Sequence, residues 1–172
     1  MKKFLIIVAI LGVVGIGGCV AVTTLFVGGA ANAVVEASKE REEALKAKIA
    51  SLADESQVSE LSPSGELAQI YMLGSETTDL ARDAKTEEIL GKVVEWTLPV
   101  YDISKVGDFI RINTKGNNGD LVDTYVNIAP QSDSDNQYLL GLKEDDQVTF
   151  RGYIDSVSMR TINIEPAIII TD

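Results

Sequence analysis

The 172-residue chain contains no histidine and a single cysteine, Cys19. Catalytic sites built on a Ser/His/Asp triad or a Cys/His pair are therefore excluded, as are metal sites that need imidazole ligands. An internal disulfide is excluded because it needs two thiols. Only carboxylates remain for general acid/base chemistry, and no pair of them is set apart in an apolar stretch. The sequence therefore predicts a protein that is not an enzyme and that holds no cofactor.

Positive charge is scarce beyond the first 35 residues. All 26 acidic residues lie there with 13 basic ones, which gives this part a net charge of −13. From Gly91 onward, 7 basic residues stand against 13 acidic ones. Proteins that bind single-stranded nucleic acid usually do so through basic grooves. The charge therefore argues against nucleic acid as a partner.

Charge is absent altogether between Phe4 and Val35, a run of 32 residues. About 20 apolar residues suffice to span a bilayer, so the first interpretation is a retained single-pass helix with a cytoplasmic N-terminus. In the second, Ile16-Gly17-Gly18-Cys19 resembles a bacterial lipobox, and Cys19 carries a lipid. In the third, cleavage after Ala31-Asn32-Ala33 releases a soluble exported protein. All three place the rest of the chain outside the cytoplasm of a bacterial cell, and the retained helix fits the length best.

The next part of the chain is predicted to be a helical spacer and a linker. Val34 to Ala53 is rich in Ala, Glu and Lys and contains neither Gly nor Pro, which favours a helix. Ser56 to Gly65 is polar and includes Pro63, a composition typical of a linker. We therefore expect an anchor or signal segment at 1–33, a spacer and linker at 34–65, and a folded domain at 66–172.

The folded domain is predicted to be all-β with helical extensions. Short helices are expected at 66–73 and from Thr78 or Asp79 to 90, and a third at 133–142. Alternating apolar and polar residues predict five strands, at 91–103, 108–114, 121–129, about 148–154 and 161–171. The first strand is long and contains Pro99, which predicts a bent strand shared by two edges, and Trp96 is in phase with its inward residues. The order β-β-β-α-β-β is that of a five-stranded OB-fold Greek-key barrel.

A family pattern is carried by two groups of residues. They are Gly91-Lys92-Val93-Val94, Trp96, Val100 and Ile103, and then Leu142-Lys143, Asp146, Val148, Phe150, Gly152 and Ile154. Through them, residues 66–170 resemble the bacterial OB-fold family called tRNA-anticodon-binding-like, whose members are small exported or membrane-tethered proteins. Leu98 stands where that family usually has glycine, and Thr78 to Ala81 replaces an Asn-x-x-Ala-Asp element. The resemblance implies an OB fold and does not imply tRNA binding.

The acidic residues of two loops do not have the spacing of a calcium loop. Asp133, Asp135 and Asn136 form one group and Glu144 to Asp146 the other, and neither has the central glycine and distant glutamate of an EF-hand. Helix capping at Asp133 and turn formation at Asp145 explain them more simply. No metal site is predicted.

OB domains usually bind ligands across the outer face of strands two and three. Two aromatic rings, an arginine and two amides on that face suit a peptide, glycan or protein partner, whereas an Arg111–Asp123 ion pair would mark ordinary sheet surface. We expect an anchored envelope protein that binds a protein or cell-envelope partner. A small-ligand or oligosaccharide binder is the alternative, and a single-stranded nucleic acid binder is less favoured. Alternation places these residues on the face: Phe109, Arg111, Asn113, Asp123, Tyr125 and Asn127.

Overall fold

The structure is a computed structural model that describes residues 30–116 and 120–171. The predictions of a membrane helix, and of a lipid on Cys19, fall outside these ranges. Among the described helices, none is long and apolar enough to cross a membrane. Residues 39–172 form a compact unit, and the candidate site lies entirely within it.

In the described part of the chain, four α-helices and five strands follow the predicted order. The N-cap of α3 is Thr78, whose hydroxyl accepts a hydrogen bond from the Ala81 amide at 3.3 Å. The N-cap of α4 is Ser132 and not the predicted Asp133, because the Ser132 hydroxyl accepts the Asp135 amide at 3.1 Å. The elements are α1 (Ala30–Ser51), α2 (Glu66–Tyr71), α3 (Asp79–Ile89), β1 (Val93–Val106), β2 (Phe109–Thr114), β3 (Thr124–Ile128), α4 (Asp133–Gly141), β4 (Gln147–Ser158) and β5 (Thr161–Ile169).

The five strands close into a barrel with the order β1-β2-β3-β5-β4. The β3–β5 pair is parallel and the other four pairs are antiparallel. Helix α4 connects β3 to β4, as the sequence predicts. A mixed five-stranded sheet with one helix between its third and fourth strands is consistent with an OB-like fold.

Strand β1 is bent and pairs with two neighbouring strands. Residues 93–99 pair with β4, residues 100–106 pair with β2, and a bulge lies between Val100 and Asp102. Pro99 occupies the last position paired with β4, where a missing N–H disturbs the ladder least. Leu98 is fully buried. A bulge bends a strand by inserting one residue, so the bend of β1 lies beyond Leu98, between Val100 and Asp102.

The barrel interior is filled by aliphatic and aromatic side chains from all five strands. Trp96 is 3% exposed, and its ring meets that of Phe150 edge to face at a centroid distance of 6.5 Å. Its indole N–H donates to the Leu61 carbonyl at 2.7 Å. The largest fully buried side chains of the barrel strands are Val94, Leu98, Val100, Ile112, Ile128, Phe150, Ile154, Ile162 and Ile164.

The segment predicted as a polar linker contacts the barrel. The Ser59 amide donates to the Val93 carbonyl at 2.8 Å, and the Val122 amide donates to the Pro63 carbonyl at 2.9 Å. Backbone groups make these bonds, so a polar, proline-containing composition is compatible with them. Amino-acid composition describes side chains, whereas these contacts are made by the backbone. The sequence therefore does not predict that the linker contacts the barrel.

Arg151 on β4 joins the end of α1 to the barrel. Its side chain donates to Glu95 Oε2 at 2.8 Å, to the Leu52 carbonyl at 2.9 Å and to Glu55 Oε1 at 3.3 Å. Burial alone would lower the pKa of the Arg151 guanidinium, but hydrogen bonds to the two carboxylates outweigh burial, and the pKa is raised. Arg151 therefore stays charged although only 4% of it is exposed.

Candidate functional site

A chain of polar contacts crosses the outer surface of β2, β3 and β5. Arg111 on β2 lies opposite Asn127 on β3, and its Nε donates to Asn127 Oδ1 at 2.9 Å. Asn127 Nδ2 in turn donates to Glu165 Oε2 on β5 at 2.5 Å. A carboxylate only accepts and a guanidinium only donates, so the two neighbours fix which end of the amide faces which strand. Asn127 is 3% exposed, and it holds Arg111 in one orientation.

Tyr125 packs beside the arginine on the same face. The guanidinium carbon of Arg111 lies 5.8 Å from the centroid of the Tyr125 ring, within the range of a cation–π contact. Tyr125 remains 40% exposed. The pair therefore combines an accessible aromatic ring with a positioned cation.

Asn113 lies between Asp102 on β1 and Tyr125 on β3. Its Oδ1 is buried and has no hydrogen-bond partner in the part of the chain that the structure describes. A buried polar atom without a partner costs about 1–3 kcal/mol. Asn163 on β5 lies on the other side of Tyr125, so amide side chains flank the ring at both neighbouring strands.

Arg111 differs from Arg82 and Arg151, which pair with carboxylates. Half-buried Arg160 also forms no ion pair among the described residues, but its Nη1 donates to the Met72 carbonyl. Arg82 pairs with Asp79 at 2.5 Å, and Arg151 pairs with Glu95 at 2.6 Å. Among residues 30–116 and 120–171, Arg111 forms no ion pair with a carboxylate. Within the described ranges, its guanidinium interacts only with the Asn127 amide and the Tyr125 ring.

Two of the six predicted face residues lie away from this cluster. Asp123 precedes β3, and its Oδ1 accepts the Gly116 amide at 2.8 Å. The Arg111–Asp123 ion pair considered from the sequence is absent, because the register places Asn127 opposite Arg111. Phe109 is half-buried and pairs with Val106 at the β1–β2 turn, so it does not form an aromatic pair with Tyr125.

The structure adds β5 residues that the sequence reasoning did not place on the face. Glu165 and Asn163 both join it through the parallel β3–β5 pairing. These two residues alternate with the buried Ile162 and Ile164, and this alternation could have predicted their outward position from the sequence. The described residues contain no group of three acidic or cysteine side chains placed to hold a metal ion. Chemically, the face offers amide donors and acceptors, one cation and one exposed aromatic ring.

No family model and no curated protein matches this sequence. Solved structures match it weakly, in 24 chains. An OBody, AM3L15, bound to hen egg-white lysozyme is 16% identical with a TM-score of 0.35, and the match covers 51% of this chain and 83% of the OBody. Asparaginyl-tRNA synthetase from Pyrococcus horikoshii, complexed with asparaginyl-adenylate, is 15% identical with a TM-score of 0.37, covering 58% and 23% of the two chains. A chain of a replication protein A heterotrimer bound to ssDNA is 15% identical with a TM-score of 0.33, covering 66% and 84%.

These TM-scores are too low to carry an argument about function. The expected bacterial family, which no family model matches, stays a prediction. The OB-like description of this chain rests on its own strand order and on the position of α4.

Proposed function

We propose that this chain is a non-enzymatic binding protein of the bacterial cell envelope, whose OB-fold Greek-key barrel is held at the membrane by the N-terminal apolar segment. The outer face of β2 and β3 binds a protein or cell-envelope partner. The observation that carries the proposal is the Arg111–Tyr125 pair, held by Asn127 and left without a carboxylate among the described residues. Arginine and tyrosine are enriched among the residues that dominate binding energy at interfaces.

Membrane attachment is supported by the 32 uncharged residues from Phe4 to Val35. The basic residues Lys2 and Lys3 before the apolar run support an extracytoplasmic barrel, because basic flanks of membrane helices tend to stay in the cytoplasm. A lipid on Cys19 is the alternative form of attachment. Intact mass of the mature protein separates the two, because a lipid adduct and a retained N-terminus give different masses.

Site-specific photo-crosslinking in intact cells tests the binding face. A photoreactive residue at the exposed position 102, next to Asn113 in the register, should capture a discrete partner. Combining Arg111→Ala with Tyr125→Ala should reduce that crosslink about tenfold or more. A tenfold reduction corresponds to a loss of about 1.4 kcal/mol of binding free energy. The melting temperature of the double variant is measured in parallel.

The matched control changes the same kinds of side chain away from the face. Tyr138→Ala with Lys143→Ala removes a tyrosine of similar exposure, 37%, and an exposed cation in or next to α4. This control should keep the crosslink. An unchanged crosslink in the Arg111/Tyr125 variant would show that the binding face has been misplaced.

An oligosaccharide ligand is the second candidate, and the amides around Tyr125 favour it. Asn113 and Asn163 flank an exposed ring, and amides that hydrogen-bond hydroxyls beside a stacking ring suit a sugar. Titration with neutral envelope oligosaccharides should then shift the amide resonances of 113, 125 and 163. Flat titrations across the panel would remove this candidate and leave the protein partner.

A further inference from the structure

The Arg111 guanidinium is oriented by the protein but has no counter-ion among residues 30–116 and 120–171. Its Nε is bonded to Asn127 at 2.9 Å, and the Tyr125 ring lies against it at 5.8 Å. The two Nη groups form no hydrogen bond or ion pair with any described residue. Side-chain entropy has therefore been lost to position a charge whose two Nη groups have no partner in the part of the chain that the structure describes.

Two acidic residues on neighbouring strands, Glu165 and Asp102, do not pair with the arginine. Glu165 receives the Asn127 amide and does not pair with Arg111. Asp102 lies opposite Asn113, whereas Ser104 is the β1 residue opposite Arg111. The chain carries 26 acidic residues against 15 basic ones, so an arginine without an acidic partner is not explained by a shortage of carboxylates.

The two Nη groups of the guanidinium favour some anions over others. With Nε occupied, the two Nη groups present parallel N–H donors, which match the two oxygens of one carboxylate. The net charge of −13 beyond residue 35 disfavours a polyanion. A partner segment whose other residues are neutral or basic is complementary to that surface.

We propose that Arg111 receives a single carboxylate from a protein segment that is otherwise neutral or basic, with the segment passing over the Tyr125 ring. This inference rests on the proposed function, since it names the chemistry that the same face recognises. It predicts that one acidic side chain, or a C-terminal carboxylate, is the part of the partner that cannot be replaced.

Two matched peptides test the carboxylate. The probes are acetyl-Lys-Gly-Asp-Gly-Lys-amide and the same peptide with Asn in place of Asp, titrated into the full-length chain in neutral detergent. The Arg111 side-chain nitrogen resonances are followed and are identified by their loss in Arg111→Lys. The Asp peptide should shift them and bind about tenfold more tightly than the Asn peptide, because a charge-assisted bidentate contact is lost with Asn.

A carboxylate supplied from within the chain should block the site. Ser104 is exposed and lies opposite Arg111 on β1, so Ser104→Asp places an acid beside the guanidinium. This variant should lose the preference for the Asp peptide, whereas the matched Ser104→Asn should keep it. Both changes lie at an exposed position, so neither is expected to unfold the barrel.

Equal binding of the two peptides, or an unaltered preference in Ser104→Asp, would overturn the inference. The crosslinking result distinguishes this failure from failure of the proposed function. If crosslinks still require Arg111 and Tyr125 while the peptides bind equally, the face stands and the carboxylate does not. If the crosslinks are independent of both residues, the proposed function fails.

Discussion

Gly152→Ala is expected to lower the free energy of unfolding by about 3 kcal/mol, near the upper end of the usual cost of overpacking a core. Gly152 lies on β4 opposite Ala167 of β5. A Cβ at this position would stand 2.5 Å from Ile164 Cγ2, 2.7 Å from Ala167 Cβ and 2.9 Å from the Pro166 carbonyl oxygen. The last of these is backbone, so relief requires the strands to separate.

The measurement is urea unfolding of the full-length chain, followed by far-ultraviolet circular dichroism. Gly141→Ala is the matched control, since nothing lies within 4 Å of a Cβ built at that position. Gly141 ends α4, and alanine there should leave stability unchanged or slightly increased. A loss below about 1 kcal/mol in Gly152→Ala would show that β4 and β5 can separate at little cost.

Arg151→Ala is expected to cost about 2–3 kcal/mol, mostly the cost of leaving a buried polar group unsatisfied, with a smaller part from the exposed carboxylate of Glu55. The substitution leaves the Leu52 carbonyl without its donor and removes the cation that Glu95 and Glu55 share. The loss should be uneven, because these bonds connect residues 52–55 to the barrel. Amide hydrogen exchange should therefore accelerate most in that segment.

Lys46→Ala is the control, because it removes an ion pair that is exposed to solvent. Lys46 and Glu42 pair at 2.6 Å on the exposed face of α1, with side chains 71% and 63% exposed. Exposed pairs contribute about 0–1 kcal/mol, so this variant should unfold almost as the parent does. Equal losses in the Lys46 and Arg151 variants would mean that the buried network adds nothing beyond surface charge.

Local patterns were sufficient to predict most of the barrel. Period-2 alternation placed Val94, Trp96 and Leu98 on the inner face of β1, and the length of that strand indicated its double pairing. The side-chain chemistry of Thr78 indicated where α3 begins. Such features depend on neighbours in the sequence, so a single chain reveals them.

Residues covered by distant segments were not predictable in the same way. Arg151 and Asn127 occupy outward positions of their strands, which alternation assigns to solvent. Arg151 is nevertheless buried, because its donors reach Leu52 and Glu55, and Asn127 is buried between Arg111 and Glu165. Alternation indicates which face a residue occupies, but it carries no information about what lies over that face.

The candidate site shows the same division. The sequence identified Arg111, Tyr125 and Asn127 as members of one face, and the register brings them together. It also included Asp123, since the predicted third strand began at 121 whereas β3 begins at Thr124. A strand boundary is the weakest part of a pattern-based prediction, because the residues next to a turn often continue the alternation.

The bond between Trp96 and Leu61 gives the protein an intrinsic optical reporter. Trp96 is the only tryptophan in the chain, so emission on selective indole excitation comes from one site. Its N–H is held by the Leu61 carbonyl while the ring is 3% exposed. Detachment of the segment around Leu61 would hydrate the indole and move its emission to longer wavelength without unfolding the barrel. Fluorescence and circular dichroism, recorded together, therefore separate loss of this segment from loss of the fold.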